Sequence, residues 1–106
     1  MPKYLLQGNY AGEGVKGLLR EGGSGRRATV EKLISAIGGR VETFYYAFGD
    51  TDVFLIVDLP DNVTAAALSM AVNATGAVAL RATVLLSAEE IDEATKKTVS
   101  YRAPGQ

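Results

Sequence analysis

The sequence predicts an α+β domain of the ferredoxin-like type, an antiparallel sheet with element order βαββαβ followed by a C-terminal helix. The run from Val41 to Pro60, VETFYYAFGDTDVFLIVDLP, contains two aromatic and β-branched segments around a polar turn, which is typical of a β-hairpin. On each side of this hairpin lies one stretch with helical spacing and, beyond it, one stretch with strand alternation. This arrangement places two helices on one face of the sheet.

The first half of the chain predicts one strand and two helical segments. Apolar and polar residues alternate from Lys3 to Asn9, as in a short strand. The helical pattern that follows is interrupted by the glycine-rich run Gly22–Gly25. It resumes with apolar residues at positions i, i+3, i+4 and i+7 and ends at Gly38-Gly39; these apolar residues are Val30, Leu33, Ile34 and Ile37.

The second half predicts the hairpin, two helices and a last strand. The hairpin extends from about Arg40 to Leu59, and Asp61 or Asn62 caps a helix that continues to about Thr75. A strand follows from Ala77 to Leu86. The sequence Ser-Ala-Glu-Glu that begins at Ser87 is a capping box, and it opens a terminal helix that ends near residue 97.

Length and composition favour a single globular domain. The chain has 106 residues, of which 47% are hydrophobic and 22% are charged. We expect residues 1–98 to form the domain and residues 99–106 to form a C-terminal tail, which is either frayed or packed on a neighbouring subunit. No apolar stretch approaches the roughly 18 residues of a membrane-spanning helix, so we predict a cytoplasmic protein with no membrane partner.

Charge and residue types exclude several classes of function. With 11 Lys and Arg against 12 Asp and Glu, the chain has no net cationic field for binding nucleic acid. Histidine and cysteine are both absent, which removes the commonest general base, the thiol nucleophile and most transition-metal ligands. We therefore predict no metal site and no cofactor.

Two helices cover only one face of such a sheet. If the hairpin turn contains two or four residues, Phe48 pairs with Val53, and the helix-covered face holds Phe44, Tyr46, Phe48, Val53, Leu55 and Val57. The opposite face then holds Leu5, Gln7, Thr43, Tyr45, Ala47, Phe54, Ile56, Arg81, Thr83 and Leu85. A turn of three residues would exchange the two faces on the second strand of the hairpin.

The face without helices is too apolar to remain in water. It carries Leu5, Phe54, Ile56 and Leu85, a patch larger than small monomers usually expose. We predict that a second copy covers it, sheet against sheet, in a homodimer or a larger homo-oligomer. The alternative is that the terminal helix folds back over this face.

Polar side chains among these apolar residues are candidate ligand contacts. An apolar cleft with a few converging polar groups is the usual form of a small-molecule site. We predict Gln7, Asn9, Tyr45 and Thr83 as ligand-binding residues for a small organic or anionic ligand. Alternatively, Gln7 and Thr83 hydrogen-bond across the subunit seam, and Arg81 pairs with Asp52, Asp58 or a carboxylate of the partner.

The hairpin sequence FYYAFGDTDVFLIVDLPD, with GLLREGGSGRRATVEKLISAIGG upstream and LSMAVNATGAV downstream, resembles the GYD domain family of small bacterial proteins. The resemblance extends from Tyr4 to about Lys97, and Gly49 and Asp52 match the ends of the Gly-Tyr-Asp signature. Thr51 stands where many members carry tyrosine. The resemblance implies a dimeric α+β barrel and no established activity.

Related dimeric barrels include cofactor-free monooxygenases, lactone isomerases, haem enzymes and small-molecule sensors. Haem chemistry does not carry over, because no histidine is present as a proximal ligand. For an enzyme of the other kinds, we predict Asp52 as the general base and Arg81 as the group that holds an enolate or carboxylate. The structural alternative is that Asp50 and Asp52 bind amides of the turn, where Gly49 supplies an unusual backbone angle.

The run Gly22–Arg27 is similar to a phosphate-binding loop but lacks the Lys-Ser/Thr of a Walker motif. Helix capping by Ser24 or the glycines is one interpretation, and a bound anion is another. Two functional hypotheses follow from the whole sequence. The first is a homo-oligomeric small-molecule-binding or scaffold module; the alternative is a cofactor-independent, monooxygenase- or isomerase-like enzyme acting on an activated carbonyl or aromatic compound.

Overall fold

A computed structural model describes residues 1–106, and its elements follow the predicted order β-α-β-β-α-β-α. Their bounds are β1 Lys3–Tyr10, α1 Gly12–Ala36, β2 Arg40–Tyr46, β3 Val53–Asp58, α2 Asn62–Ala74, β4 Val78–Leu85 and α3 Ala88–Thr95. The four strands form one antiparallel sheet in the order β2-β3-β1-β4. The predicted ferredoxin-like α+β fold is therefore confirmed.

The core lies between the sheet and the first two helices. Burial alternates along β1 and β3, so that Tyr4 and Leu6 of β1 and Leu55 and Val57 of β3 are buried while their neighbours are not. Ile34 of α1 and, from α2, Ala65 and Leu68 pack on this face. Because side chains alternate across a strand, both helices cover the same face and leave the other one open.

Helix α1 contains the predicted interruption, but in a narrower form. Only Gly22 departs from helical geometry, with φ 75° and ψ 164°, and the helix resumes at once. A positive φ of this kind favours glycine, since it has no Cβ. The chain therefore bends at one residue instead of passing through a four-residue joint.

The register of the hairpin differs from the prediction. Tyr46 pairs with Val53, and Phe48 lies in the loop with a positive φ of 57°. The predicted pair of Phe48 and Val53 is wrong by two residues, and Ala47 is likewise a loop residue. Because the difference is an even number, Tyr46 and Val53 still lie on the helix-covered face, as predicted.

The C-terminal segment does not cover the open face of its own sheet. Ser87 and Glu90 form the predicted capping box at the start of α3. Yet every residue from Leu86 to Gln106 is exposed, and the molecule is elongated, 56 × 32 × 23 Å. The alternative in which the terminal helix folds back over the sheet is therefore wrong. None of the helices has the length and apolar character needed to cross a membrane.

Candidate functional site

The open face of the sheet carries a mixed row of side chains near the hairpin loop. The register places Tyr45 opposite Phe54, Phe54 opposite Gln7, and Gln7 opposite Arg81. These four residues therefore lie side by side on β2, β3, β1 and β4. The next row consists of Thr43, Ile56, Leu5 and Thr83, with the two apolar side chains in the middle and a threonine on each side.

Thr51 is the centre of the polar part of this face. Its hydroxyl oxygen accepts hydrogen bonds from Arg81 Nη2 at 3.1 Å and from Gln7 Nε2 at 3.5 Å. The residue is only 6% exposed although it belongs to a loop. Gln7 and Arg81 were both predicted as site residues. They both donate to Thr51, which was not predicted as one.

Arg81 makes no ion pair with any carboxylate of the chain. The predicted pairing of Arg81 with Asp52 or Asp58 is therefore wrong within one chain. A guanidinium has five N–H donors, and only one nitrogen of Arg81 donates a hydrogen bond to Thr51. The remaining donors stay available to an acceptor on the open face.

Asp52 and Asn9 tie the hairpin loop to the end of β1. The Asp52 carboxylate accepts a hydrogen bond from the Tyr10 backbone N–H at 2.9 Å. The Asp52 backbone N–H in turn donates to Asn9 Oδ1 at 3.0 Å and to the Gly8 carbonyl at 3.0 Å. These bonds favour a structural role for Asp52. The backbone amide that donates to its carboxylate belongs to β1, however, and not to the turn.

Gly49 does not have the unusual backbone angle that was predicted for it. The positive φ in the loop belongs to Phe48, and a Cβ on Gly49 would meet open space. The expectation about Gly49 is therefore wrong. The long-range bonds of Asp52, and not a glycine, set the path of this loop.

The other predicted ligand-binding residues lie further from Arg81. Tyr45 is on the edge strand β2, three strand spacings away, which is about 14 Å at roughly 4.8 Å for each strand. Its side chain is 69% exposed. Thr83 lies opposite Leu5, one row along the sheet. The compact part of the candidate site therefore comprises Gln7, Thr51 and Arg81.

The far end of the open face is occupied by ion pairs. The Asp58 carboxylate contacts Lys3 Nζ and Arg40 Nη2, each at 2.9 Å, and Lys3 also reaches Glu42 at 3.1 Å. The hydrogen bond from Lys3 lowers the pKa of Asp58, with a smaller contribution from Arg40, against the effect of burial. This buried carboxylate is satisfied by its partners, so it serves the fold and offers nothing to a ligand.

The glycine-rich run of α1 lies on the other side of the sheet. The Tyr46 hydroxyl donates to the Gly23 carbonyl at 3.1 Å, and Arg26 approaches Glu21 at 4.0 Å. No group of three carboxylates that could hold a metal ion occurs in the chain. Anion binding at this run stays a prediction.

The model of the GYD domain matches residues 4–95. The chain belongs to the GYD domain family. The predicted resemblance is thereby confirmed over nearly the range given by the sequence, and Thr51 of the candidate site lies within the matched residues. Neither the curated proteins nor the solved structures contain a match to this GYD domain.

Thr51 is the residue of the candidate site that sequence reasoning missed. Its position in the run that resembles the Gly-Tyr-Asp signature was the available signal, but a threonine in a polar turn looks like an ordinary turn residue. Its partners are 44 and 30 positions away along the chain. Only the folded sheet brings these three side chains together.

Proposed function

We propose that this GYD domain is a homo-oligomeric module that binds a small organic anion between the open sheet faces of two copies. The observation that carries the proposal is the convergence of Gln7 and Arg81 on the Thr51 hydroxyl, on a face that also exposes the apolar side chains Leu5, Phe54 and Ile56. Arg81 has no carboxylate partner in its own chain. A carboxylate matches the planar donor fork of a guanidinium, so a carboxylate-bearing ligand fits this site.

The apolar side chains of the open face support a second copy as its cover. Leu5, Phe54, Ile56 and Leu85 are only half-buried, and no helix of the chain lies over them. Burial of apolar surface contributes about 25 cal/mol per Å². A second sheet packed about 10 Å away would remove these side chains from water and enclose the polar row.

The C-terminal segment supports the same assembly. Helix α3 has only 8 residues and buries none of them. Isolated helices shorter than about 12 residues are marginal in water, so a helix of this length gains its stability from packing. A neighbouring copy supplies such packing without changing the domain itself.

Catalysis by Asp52 and Arg81 stays a prediction, and no contact in the chain favours it over binding. One oxygen of Asp52 already holds the Tyr10 amide, and Asp52 forms no ion pair with Arg81. A screen of activated carbonyl and aromatic compounds tests this alternative. Turnover that disappears in both Asp52→Asn and Arg81→Gln, with the fold retained, would establish an enzyme.

Binding is tested with benzoate as an aromatic carboxylate probe, by calorimetry on the intact protein. We expect saturable binding that weakens at least tenfold in Arg81→Gln, because a charge-assisted hydrogen bond is lost. Arg20→Gln is the matched control, since Arg20 is exposed and has no ion pair. Equal affinity in the two variants would overturn the site.

Assembly is tested separately by light scattering at micromolar concentration. A dimer or larger species that dissociates in Ile56→Glu, with the domain still folded, supports the enclosed site. A wild-type protein that is monomeric with and without benzoate would contradict it. Native mass spectrometry of the freshly purified protein would identify a retained ligand directly.

A further inference from the structure

The outer edge of strand β4 is covered at one end and free at the other. β4 is the last strand of the sheet, and an antiparallel strand directs its backbone groups alternately toward its neighbour and away from it. Leu80 points outward, because its N–H donates to Asn73 Oδ1 at 2.6 Å and its carbonyl accepts from Asn73 Nδ2 at 3.0 Å. By the same alternation, the N–H and C=O groups of Ala82 and Val84 also point outward.

The outward groups of Ala82 and Val84 have no hydrogen-bond partner in the chain, and we call this part of β4 the free edge. Such groups are a template for a further strand, and natural proteins usually block them with charged residues or β-bulges. The opposite edge of the sheet, β2, has both devices: a register shift between Val41 and Thr43, and the charged residue Glu42. The C-terminal half of β4 has neither, so it is open to pairing.

An apolar groove of about 320 Å³ lies beside the free edge, between α2 and β4. Six of its eight lining residues are hydrophobic, among them Ala82 and Val84, and Val84 is 48% exposed. The α2 wall contains Ala65 and Ala66, whose small side chains leave room beside the strand. A strand added to the free edge would place every second side chain over this groove. The groove therefore accepts a strand with apolar residues at alternate positions.

The C-terminal tail contains a segment of this kind, residues 98–102 with the sequence TVSYR. Val99 and Tyr101 are two positions apart, so they lie on one face of an extended chain, and they are 79% and 76% exposed. No backbone group of residues 98–102 forms a hydrogen bond within the chain. Pro104 has no backbone N–H and limits the length of a strand formed here. The tail is therefore an unpaired segment with the pattern of a short strand.

Each chain has a free edge and an unpaired strand, but its own tail does not cover its own edge, because residues 98–102 are all exposed. We propose that two copies exchange these segments, so that residues 98–102 of each copy add to the free edge of the other with Val99 and Tyr101 over the groove. Exchange of an identical segment about a two-fold axis pairs both edges and leaves neither tail free.

Charge also favours this segment over a peptide of arbitrary sequence. The tail follows Lys96 and Lys97, contains Arg102 and has no acidic side chain. Helix α3, which follows β4 after a short connection, carries the four acidic residues Glu89, Glu90, Asp92 and Glu93. None of these charged side chains forms an ion pair within the chain. A tail on the free edge of a partner brings its cations toward these carboxylates.

The direction of the added strand follows from the position of Arg81. An antiparallel strand with its apolar residues over the groove would place Arg102 directly opposite Arg81, and like charges in that position are destabilising. A parallel strand places Arg102 opposite Leu85 instead, nearer to α3. In the parallel arrangement Val99 lies beside Ala82.

The exchange rests on the proposed assembly of copies but uses a different surface. The free edge and the groove lie away from the open face that carries Arg81. Exchange that persists in Ile56→Glu would support the present proposal while contradicting the enclosed site on the open face. Benzoate binding that persists in the wild-type protein without any exchange would overturn the present proposal and leave the open-face site standing.

The first test is a disulfide between copies, since the chain contains no cysteine. Oxidation of the double variant Ala82→Cys with Val99→Cys should give a product of two chains, because opposite residues of neighbouring strands lie within disulfide range. The matched control is Ala82→Cys with Val63→Cys: Val63 is also 79% exposed, but it lies on α2 and does not line the groove. We expect at least tenfold less linked product from the control on a non-reducing gel.

Three results of this test would overturn the proposal. A disulfide within a single chain would show that each tail covers its own edge. Linked dimers from Ala82→Cys alone would show that two β4 strands pair with each other. A ladder of longer products would show open-ended addition instead of reciprocal exchange.

The second test places a charge on the free edge. Val84→Lys should raise the dissociation constant of the oligomer at least tenfold in sedimentation, because an edge lysine opposes strand addition. Val63→Lys is the matched control and should leave the constant unchanged, since Val63 lies outside the groove. Ala82→Lys replaces Val84→Lys if that variant does not fold. Equal constants in the folded edge variant and the control would overturn the proposal.

The third test leaves the sequence unchanged and measures amide hydrogen exchange at low and high protein concentration. The amides of Ala82 and Val84 should exchange at least tenfold more slowly at high concentration, together with those of Ser100 and Arg102. Thr83 is the internal control, because its amide already faces β1 in the single chain. Exchange at Ala82 and Val84 that does not depend on concentration, in a protein that oligomerises over this range, would overturn the proposal.

Discussion

The two faces of the sheet are built from the same strands but are completed in different ways. On the helix-covered face, Tyr4, Leu6 and Val57 are buried by α1 and α2. On the open face, Leu5 and Ile56 alternate with these residues and are comparably apolar, yet they remain half-buried. Alternation therefore sorts side chains between two faces, but it does not determine which face becomes core.

The polar side chains at the two ends of the open face also differ, because only one end is fully paired within the chain. At one end, Asp58 is satisfied by Lys3 and Arg40 within the chain. At the other end, Arg81 contacts a neutral hydroxyl of Thr51 and keeps spare donors. The first end is therefore structural, and the second end is the one at which we propose that a ligand binds.

The comparison of the two faces is tested most strongly by adjacent substitutions in β3. Leu55→Ala removes a side chain from the buried core and should lower the free energy of unfolding by about 3 kcal/mol. Ile56→Ala, the matched change on the open face, should cost about 1 kcal/mol when the protein is dilute, because its side chain is already partly hydrated. Urea denaturation measures both values. Equal losses would mean that the two faces are equally buried in solution.

The structural end of the open face is tested by Asp58→Asn. Removing the charge between Lys3 and Arg40 should lower the free energy of unfolding by about 2 kcal/mol at pH 7. Because the pKa of Asp58 is lowered in the folded state, its contribution is present above the unfolded pKa of about 3.9 and is lost as the pH falls through the folded value.

The variant should accordingly show a flatter dependence of stability on pH in the acidic range, measured by thermal unfolding between about pH 2 and pH 6. Asp50→Asn is the control, because Asp50 is exposed and lies outside the ion-pair cluster. A wild-type acid profile that is retained in Asp58→Asn would assign the pH dependence to other carboxylates.

The C-terminal segment is exposed in the single chain, and its deletion tests whether a partner subunit covers it. Deleting residues 99–106 should leave the unfolding of the isolated domain unchanged, since these residues are all exposed. If the tail packs on a partner subunit, the dissociation constant of the oligomer should rise about tenfold, or ~1.4 kcal/mol. Sedimentation over a range of concentrations measures this constant. An unchanged constant would remove the tail from the interface.

The smallest expected effect concerns the loop that carries Thr51 onto the open face. Gly49→Ala should change the free energy of unfolding by less than about 0.5 kcal/mol, because Gly49 has no positive φ and its Cβ position is free. Gly38→Ala is the contrasting variant. Its φ of 86° and the Pro60 side chain 3.2 Å from the new Cβ predict a loss of about 1 kcal/mol or more. Comparable losses in the two variants would show that Gly49 does constrain the loop.

The sequence by itself determined the features that depend on neighbouring residues. The strands, the helices and their caps follow from local periodicity and from short-range bonds, such as the acceptance of the Thr64 N–H by Asp61 and the capping box of Ser87 and Glu90. The even parity of the hairpin was correctly assumed, which is why the two faces were assigned correctly.

Tertiary structure decided the features that depend on distant residues. The hairpin loop is fixed by bonds between Asp52 and Asn9, 43 positions apart, and these bonds override the shorter turn that the local sequence favours. Thr51 gains its role only where β1 and β4 bring Gln7 and Arg81 beside it. Local patterns specify conformation and facing, whereas contacts and unfilled space arise only when the whole chain packs.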